Sequence, residues 1–249
     1  MSTGVMSMYG HEHPSVAASY SNMGLVLRNM GKYQEALDMY SKSLEIDIRV
    51  HGDSHLRVAE TRENMALIYE QQGHYDQALE ICKSVLETKI RMCGQDSPPV
   101  ADSRNIIGEV LRHWGKYDEA LEMHAKSLEL RTRICGGDSH LSVARSCNNI
   151  GVVYDEKGDF KKALVHYQKG LEIMLKLLGS EHPSVANSKE NIGRVFKKMT
   201  KKSEERQMFT EAAHIRRKVL GADKVRAIDC TVENKFKQVV LLNKEMKFF

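Results

Sequence analysis

The sequence predicts an all-α solenoid of stacked antiparallel helix hairpins, and three observations carry that prediction. Five small residues, Gly24, Ala66, Gly108, Gly151 and Gly193, recur at steps of 42, 42, 43 and 42 residues. Around each of them apolar residues fall at helical spacing rather than in alternation. All four prolines, Pro14, Pro98, Pro99 and Pro183, lie in linking turns, where they do not interrupt a helix. A fixed period of this length marks a repeat whose units bury their apolar faces on their neighbours.

Each unit begins with a linker and a first helix. Gly10 to Pro14 reads Gly-His-Glu-His-Pro and Gly179 to Pro183 reads Gly-Ser-Glu-His-Pro, with proline at home in the first helical turn. Gly52 to His55 reads Gly-Asp-Ser-His, as does Gly137 to His140. Asp or Ser in these linkers is expected to cap the helix that follows. The first helix of copy one then runs to Asn29-Met30-Gly31. The turn glycine recurs as Gly31, Gly73, Gly115 and Gly158, and it ends the helix by taking left-handed backbone angles. Two residues on comes an aromatic, Tyr33, Tyr75, Tyr117 or Phe160, placed to fill the gap beside the turn. The second helix opens on Ala36-Leu37, Ala78-Leu79, Ala120-Leu121 and Ala163-Leu164, whose alanine permits a close helix crossing. The glycine in the middle of the first helix costs about 1 kcal/mol of helix propensity, so close packing of the second helix over it is expected to compensate. The extra residue in the third step falls in the Gly136-Gly137 turn.

Five units are expected, at 13–54, 55–96, 97–139, 140–181 and 182–223. Residues 1–12 read as the end of a preceding repeat or a disordered lead. Residues 224–249 form a basic tail, in which Phe236, Val239, Leu242, Met246 and Phe249 suit a capping helix, or Val239 to Leu242 a short strand. Copy five departs from the pattern, with Thr200, Lys202 and Glu205 where copy four has Gly158, Phe160 and Ala163. Its second helix is therefore expected to be displaced or frayed. The raw first repeat favours self-association if nothing covers it.

Composition excludes several classes. The first ten residues lack a basic start and an apolar core, so they do not read as a signal peptide. No apolar run approaches the ~20 residues that a membrane span needs. Five cysteines make an odd set, expected as thiols in a reducing cytoplasm. From 195 onward Lys and Arg outnumber Asp and Glu two to one, yet a solvated basic end explains that more simply than nucleic-acid binding. Motifs for chemistry are missing. His11-Glu12-His13 lacks the spacing that sets two imidazoles on one helical face, and there is no Cys-x-x-Cys pair or phosphate-binding glycine loop. The sequence predicts no enzyme, no metal and no cofactor. His113, His124 and His166 are expected at the surface or in packing roles, and Cys82, which stands where Tyr40 and Tyr167 do, as a core filler.

The Asn-Met/Ile-Gly/Ala start, the Gly-Lys/His/Asp-Tyr/Phe turn, the Ala-Leu pair and the Gly-x-x-His-Pro-x-Val-Ala linker together resemble the tetratricopeptide repeat, in the 42-residue variety of kinesin light chains. The resemblance spans residues 13–223. It implies a right-handed superhelix whose first helices line a concave groove, and a non-catalytic adaptor or scaffold that binds an extended segment of a partner protein there. The alternative is a structural or self-associating module. A kinesin light chain also carries a heptad coiled coil ahead of its repeats, and this sequence has none.

Transferred onto this register, groove residues lie one to two before the Gly/Ala position and one, four and five after it. The slot two before it holds Asn22, Asn64, Asn149 and Asn191, while copy three has Ile106 there and Asn105 one step earlier. Asparagine is a mediocre helix residue, so the recurrence needs a cause. Two readings stand: carboxamides that bond an extended peptide backbone, or carboxamides that bond a neighbouring repeat and hold the stack. Arg28, Asn29, Glu63, Glu70, Glu109, Arg112, Asp155, Glu156, Arg194, Lys197 and Lys198 are expected on the same face, acidic in the middle and basic toward the end.

Overall fold

The computed structural model describes residues 13–220; the expected lead at 1–12 and the tail with its capping helix lie outside them. Among the described residues there are ten α-helices and no strand: α1 (Pro14–Asn29), α2 (Tyr33–His51), α3 (Leu56–Gln71), α4 (Tyr75–Cys93), α5 (Pro98–His113), α6 (Tyr117–Ile134), α7 (Leu141–Lys157), α8 (Phe160–Leu178), α9 (Pro183–Lys198) and α10 (Lys202–Leu220). Consecutive helices pack as hairpins. The chain divides into two compact units, one ending at Asp138 and one starting at Ser139. The first holds the hairpins α1/α2, α3/α4 and α5/α6; the second holds α7/α8 and α9/α10.

A linker histidine, rather than Asp or Ser, caps four of the five first helices. His13, His55, His140 and His182 sit at the N-cap, and the Nδ1 of each accepts from the backbone N–H two residues on, at 3.1, 3.2, 3.2 and 3.1 Å. A neutral imidazole nitrogen thus satisfies one of the four orphan donors of a helix start. Helix α5 explains itself by exception. Its first two residues are Pro98 and Pro99, so the N–H that such a cap would accept from does not exist. Ser97 stands there instead and donates its hydroxyl back to the carbonyl of Gly94 at 2.9 Å.

Every first helix ends in the same turn. At Gly31 the N–H bonds the carbonyl of Arg28, and the next N–H, of Lys32, reaches back to Leu27, both at 2.9 Å. The pattern repeats at Gly73, Gly115 and Gly158, with φ of 81°, 79° and 87°. This is the double bond that left-handed glycine makes available past a helix end. Thr200 takes the same place in the fifth hairpin, at φ 59°, and makes the same pair of bonds to Lys197 and Phe196. A β-branched residue is strained there. The turn nevertheless forms, and α10 follows it as a helix of 19 residues packed on α9, rather than displaced or frayed. Glu205 and Arg206 replace the Ala-Leu pair on this last described helix.

The third linker absorbs its extra residue by the same chemistry. Helix α6 stops at Ile134, one residue short of α4. Gly136 and Gly137 then bond back to Arg133 and Thr132. The linkers after α2, α4 and α8 instead turn on single glycines, Gly52, Gly94 and Gly179, with φ of 83°, 80° and 79°.

Within each hairpin the helices meet where a small residue faces a larger one. A Cβ added at Gly24 would lie 3.0 Å from the Tyr40 ring, at Gly108 2.7 Å from the His124 ring, at Gly151 2.8 Å from Tyr167 and at Gly193 3.2 Å from Phe209. In the second hairpin the facing residue is Cys82, which is small, and the glycine slot holds Ala66. The two positions have been sized against each other. Gly151→Ala should therefore cost about 1–3 kcal/mol by overpacking. In a Tyr167→Cys background the same change should cost nothing or stabilise, since alanine is the better helix former. Thermal melts of all four members of this cycle check it, and additive losses would show the two positions to be uncoupled.

Candidate functional site

A continuous solvent-facing stripe runs along each first helix, at positions six and two before the Gly/Ala slot and one and five after it. In the first unit it is Ala18, Asn22, Leu25 and Asn29 on α1, Glu60, Asn64, Leu67 and Gln71 on α3, and Asp102, Ile106, Glu109 and His113 on α5; none of these is buried. In the second unit it is Arg145, Asn149, Val152 and Glu156 on α7, and Asn187, Asn191, Arg194 and Lys198 on α9, again none buried. Spacing of four, three and four residues keeps one row on one helical face. The position immediately before the Gly/Ala slot is not part of it: Ile107, Ile150 and Ile192 are 2%, 4% and 2% exposed and belong to the core.

The asparagines divide into two classes. Asn22, Asn64, Asn149 and Asn191 lie mid-stripe. The carboxamides of Asn22 and Asn64 have no hydrogen-bond partner among the described residues, while Asn191 accepts from Arg194. Asn105 sits one step earlier and turns inward, its Oδ1 3.2 Å from Nδ1 of the buried His124. Asn148, its counterpart in α7, donates to Ser188 at 3.4 Å and so bridges two hairpins of the second unit. The inner slot thus bonds to the fold itself, within a hairpin at Asn105 and between hairpins at Asn148. Three residues after Asn22, Asn64 and Asn149 come Leu25, Leu67 and Val152; Asn191 is followed there by Arg194, and α5 inverts the pair as Ile106 and Glu109. These aliphatic neighbours, not among the expected site residues, were visible in the same repeat pattern one position past the glycine.

Many of the charges expected to be available are already engaged. Glu63 leaves the stripe altogether: it takes two bonds from Lys89, at 2.8 and 2.7 Å, and one from Ser103 of the next hairpin. Arg112 pairs with Glu109 at 2.9 Å and also meets His113. Glu70 pairs with His113 of the next hairpin, and Asp155 with Lys198 of the next at 2.8 Å, the same pair of slots in both units. Arg28 keeps Nε and Nη1 enclosed without a partner, as is the hydroxyl of Tyr40. Burial raises the Tyr40 pKa, with the Arg28 charge opposing. Asn29 and Lys197 are exposed at the end of α1 and of α9.

Two buried groups bear on reactivity. Burial, then the charges of Glu63 and Glu70, push the Cys82 thiol up to about 12, so it stays protonated and inert. His124 is fully buried on α6, with Nε2 3.4 Å from Glu109, yet Arg112 and Arg131 also act on it. Burial is the largest effect and lowers its pKa from 6.5 to about 4. Among the described residues no group of His, Cys, Asp and Glu converges as a metal set would, and no helix is long and apolar enough to cross a membrane.

The His124 shift sets a pH dependence. Between pH 6.5 and 4 the unfolded chain binds a proton at this site and the folded chain does not. Stability therefore falls as pH falls through that window, by about 3 kcal/mol in full. Melting temperature measured from pH 7 to 4.5 should drop less steeply for His124→Phe, which copies Phe209; parallel curves would contradict the assignment.

Comparison with known proteins agrees with this geometry. The family model for the tetratricopeptide repeat matches residues 15–90, 99–176 and 156–218. Among solved structures the chain is similar to BtubC (BKLC) from P. vanneervenii, at 21% identity and a TM-score of 0.72, over 88% of this chain and 87% of that one. It is also similar to a kinesin light chain-like protein of Podosopora anserina built of nearly identical TPR-like repeats, at 20% identity and a TM-score of 0.68, over 84% of this chain and 99% of that one. A Rap protein complexed with competence and sporulation factor shares the fold at 15% identity and a TM-score of 0.65, over 79% of this chain and 53% of that one. None of the curated proteins matches the sequence.

Proposed function

We propose that capture of an extended segment of a partner protein is the function of this chain, which belongs to the tetratricopeptide repeat family. Such chains are protein-interaction scaffolds and in general non-catalytic. The observation that carries the finer reading is the pair of carboxamides on Asn22 and Asn64, solvent-facing at mid-helix and unbonded within the described residues. A carboxamide both donates and accepts, as a peptide group does, and so matches the backbone of an extended chain whatever its side chains. Leu25 and Leu67, one turn on, would take apolar side chains of the same segment.

The stripe of the first unit carries Glu60, beside Asp102 and Glu109, which Arg131 and Arg112 already hold, and so suits a basic group over α3. That of the second carries Arg145 and Arg194, with Lys197 beside it, and suits an acidic one. The Rap protein complexed with its factor supports the idea that this fold can hold a partner. Cys82, Cys93, Cys135 and Cys147 are thiols rather than disulfides, which fits a reducing, cytoplasmic setting.

The test is a pull-down with the full chain and with Asn22, Asn64, Asn149 and Asn191 all changed to alanine, each checked by circular dichroism. The proposal expects partners held by the wild type to be lost at unchanged helicity. Partners retained by the variant, or a variant that unfolds, would overturn it.

A further inference from the structure

We propose that the turn end of α1 is an anion site, built on Arg28, that takes a phosphorylated or acidic side chain of the captured segment. The inference rests on that capture and adds what the segment carries at one point. The position four after the Gly/Ala slot has a recurring task. In α3 it is Glu70, which pairs with His113 of α5; in α7 it is Asp155, which pairs with Lys198 of α9 at 2.8 Å. In both joints the answering residue lies five after the slot on the following hairpin, and a basic side chain answers an acidic one. On α1 the first of these positions holds Arg28, and the answering position on α3 holds Gln71, which is neutral. Arg28 thus belongs to the joint between α1 and α3, on the side of the following hairpin.

That joint leaves Arg28 without a counter-charge. It makes no ion pair or hydrogen bond among the described residues, and its Nε and Nη1 are enclosed. The hydroxyl of Tyr40, near enough for the Arg28 charge to act on it, is enclosed and unbonded as well. A guanidinium drawn partly out of water without an acceptor is costly, and such a group calls for a missing ion or ligand. Arg28 is only half-buried, so part of it still meets the groove. Asn29, next to it, and Gln71, on the answering position, are exposed and unbonded among the described residues. Their carboxamides add donors without negative charge. A guanidinium fork with amide donors matches the oxygens of a carboxylate or phosphate group.

The test uses the full chain and has two arms. In the first, the Arg28 Nε–H resonance, identified by its loss in Arg28→Gln, is followed by NMR while inorganic phosphate or acetate is added at constant ionic strength. A saturable shift is expected, and no shift with either anion would overturn the proposal. In the second, short fluorescent Gly/Ser peptides with serine, glutamate or phosphoserine at the centre are titrated by anisotropy. The charged peptides should bind about tenfold or more tighter than the serine peptide, and Arg28→Gln should close that gap. The tighter of the two charged peptides tells phosphate from carboxylate. Arg28→Gln should not lower the melting temperature, because it removes a cation that nothing in the fold pairs. Equal affinity for all three peptides, a gap that survives Arg28→Gln, or a lowered melting temperature would overturn the proposal. Asn64→Ala should weaken all three peptides alike. If it changes none of them, the capture reading fails, while the gap and the phosphate shift still decide the anion site.

Discussion

Everything in this chain depends on how closely two helices can cross inside a hairpin. That distance is set by one position on the first helix and one on the second. Where the second offers a ring, the first must offer hydrogen, and where the second offers Cys82 the first can offer a methyl group. The glycine weakens its own helix by about 1 kcal/mol. The buried aromatic surface it admits is worth more than that. Once the crossing is fixed, the remaining faces of the first helix have assigned roles: one toward its own partner helix, one toward the preceding hairpin, one toward water.

The polar groups follow the same partition. Facing the next hairpin, Glu63 is held by Lys89 and Ser103, and Asn148 by Ser188. The Lys89–Glu63 pair lies within one hairpin, where it adds little net stability but is costly to break, and the Ser103 hydroxyl ties it to the next hairpin. Facing water, the stripe carboxamides of the first two hairpins are left unbonded. A side chain that neither packs nor bonds, yet recurs at one slot of a helix it does not favour, is better explained by an absent partner than by the fold.

The period, the turn glycines and the Ala-Leu pairs were legible because each is a local constraint repeated at a fixed spacing. Copy five was harder to read. Thr200 stands where the other copies have glycine, and with Lys202 and Glu205 it pointed to a displaced or frayed second helix. In the structure the hydrogen-bond pair of the turn and the packing of Phe209 on Gly193 outweigh the strain. The histidine caps were missed for a different reason: imidazole is an uncommon cap, and Asp and Ser stood beside it in the same linkers.

The site was legible in its register and less so in its charges. Spacing alone put Asn64 on an outer face, but it could not tell that Asn105, one residue out of register, would turn inward to His124, or that Glu63 and Lys198 would be taken up by partners. Those outcomes depend on contacts 19 to 43 residues apart, which a single helical face does not reveal. The most direct test of the division between inner and outer slots is a comparison of thermal melts for Asn64→Ala and Asn105→Ala. The account predicts a change within about 0.5 kcal/mol at Asn64 and a loss of about 1–3 kcal/mol at Asn105, where His124 is left without its acceptor. Equal losses, or a larger loss at Asn64, would mean that the stripe asparagines hold the stack together and are not kept for a partner.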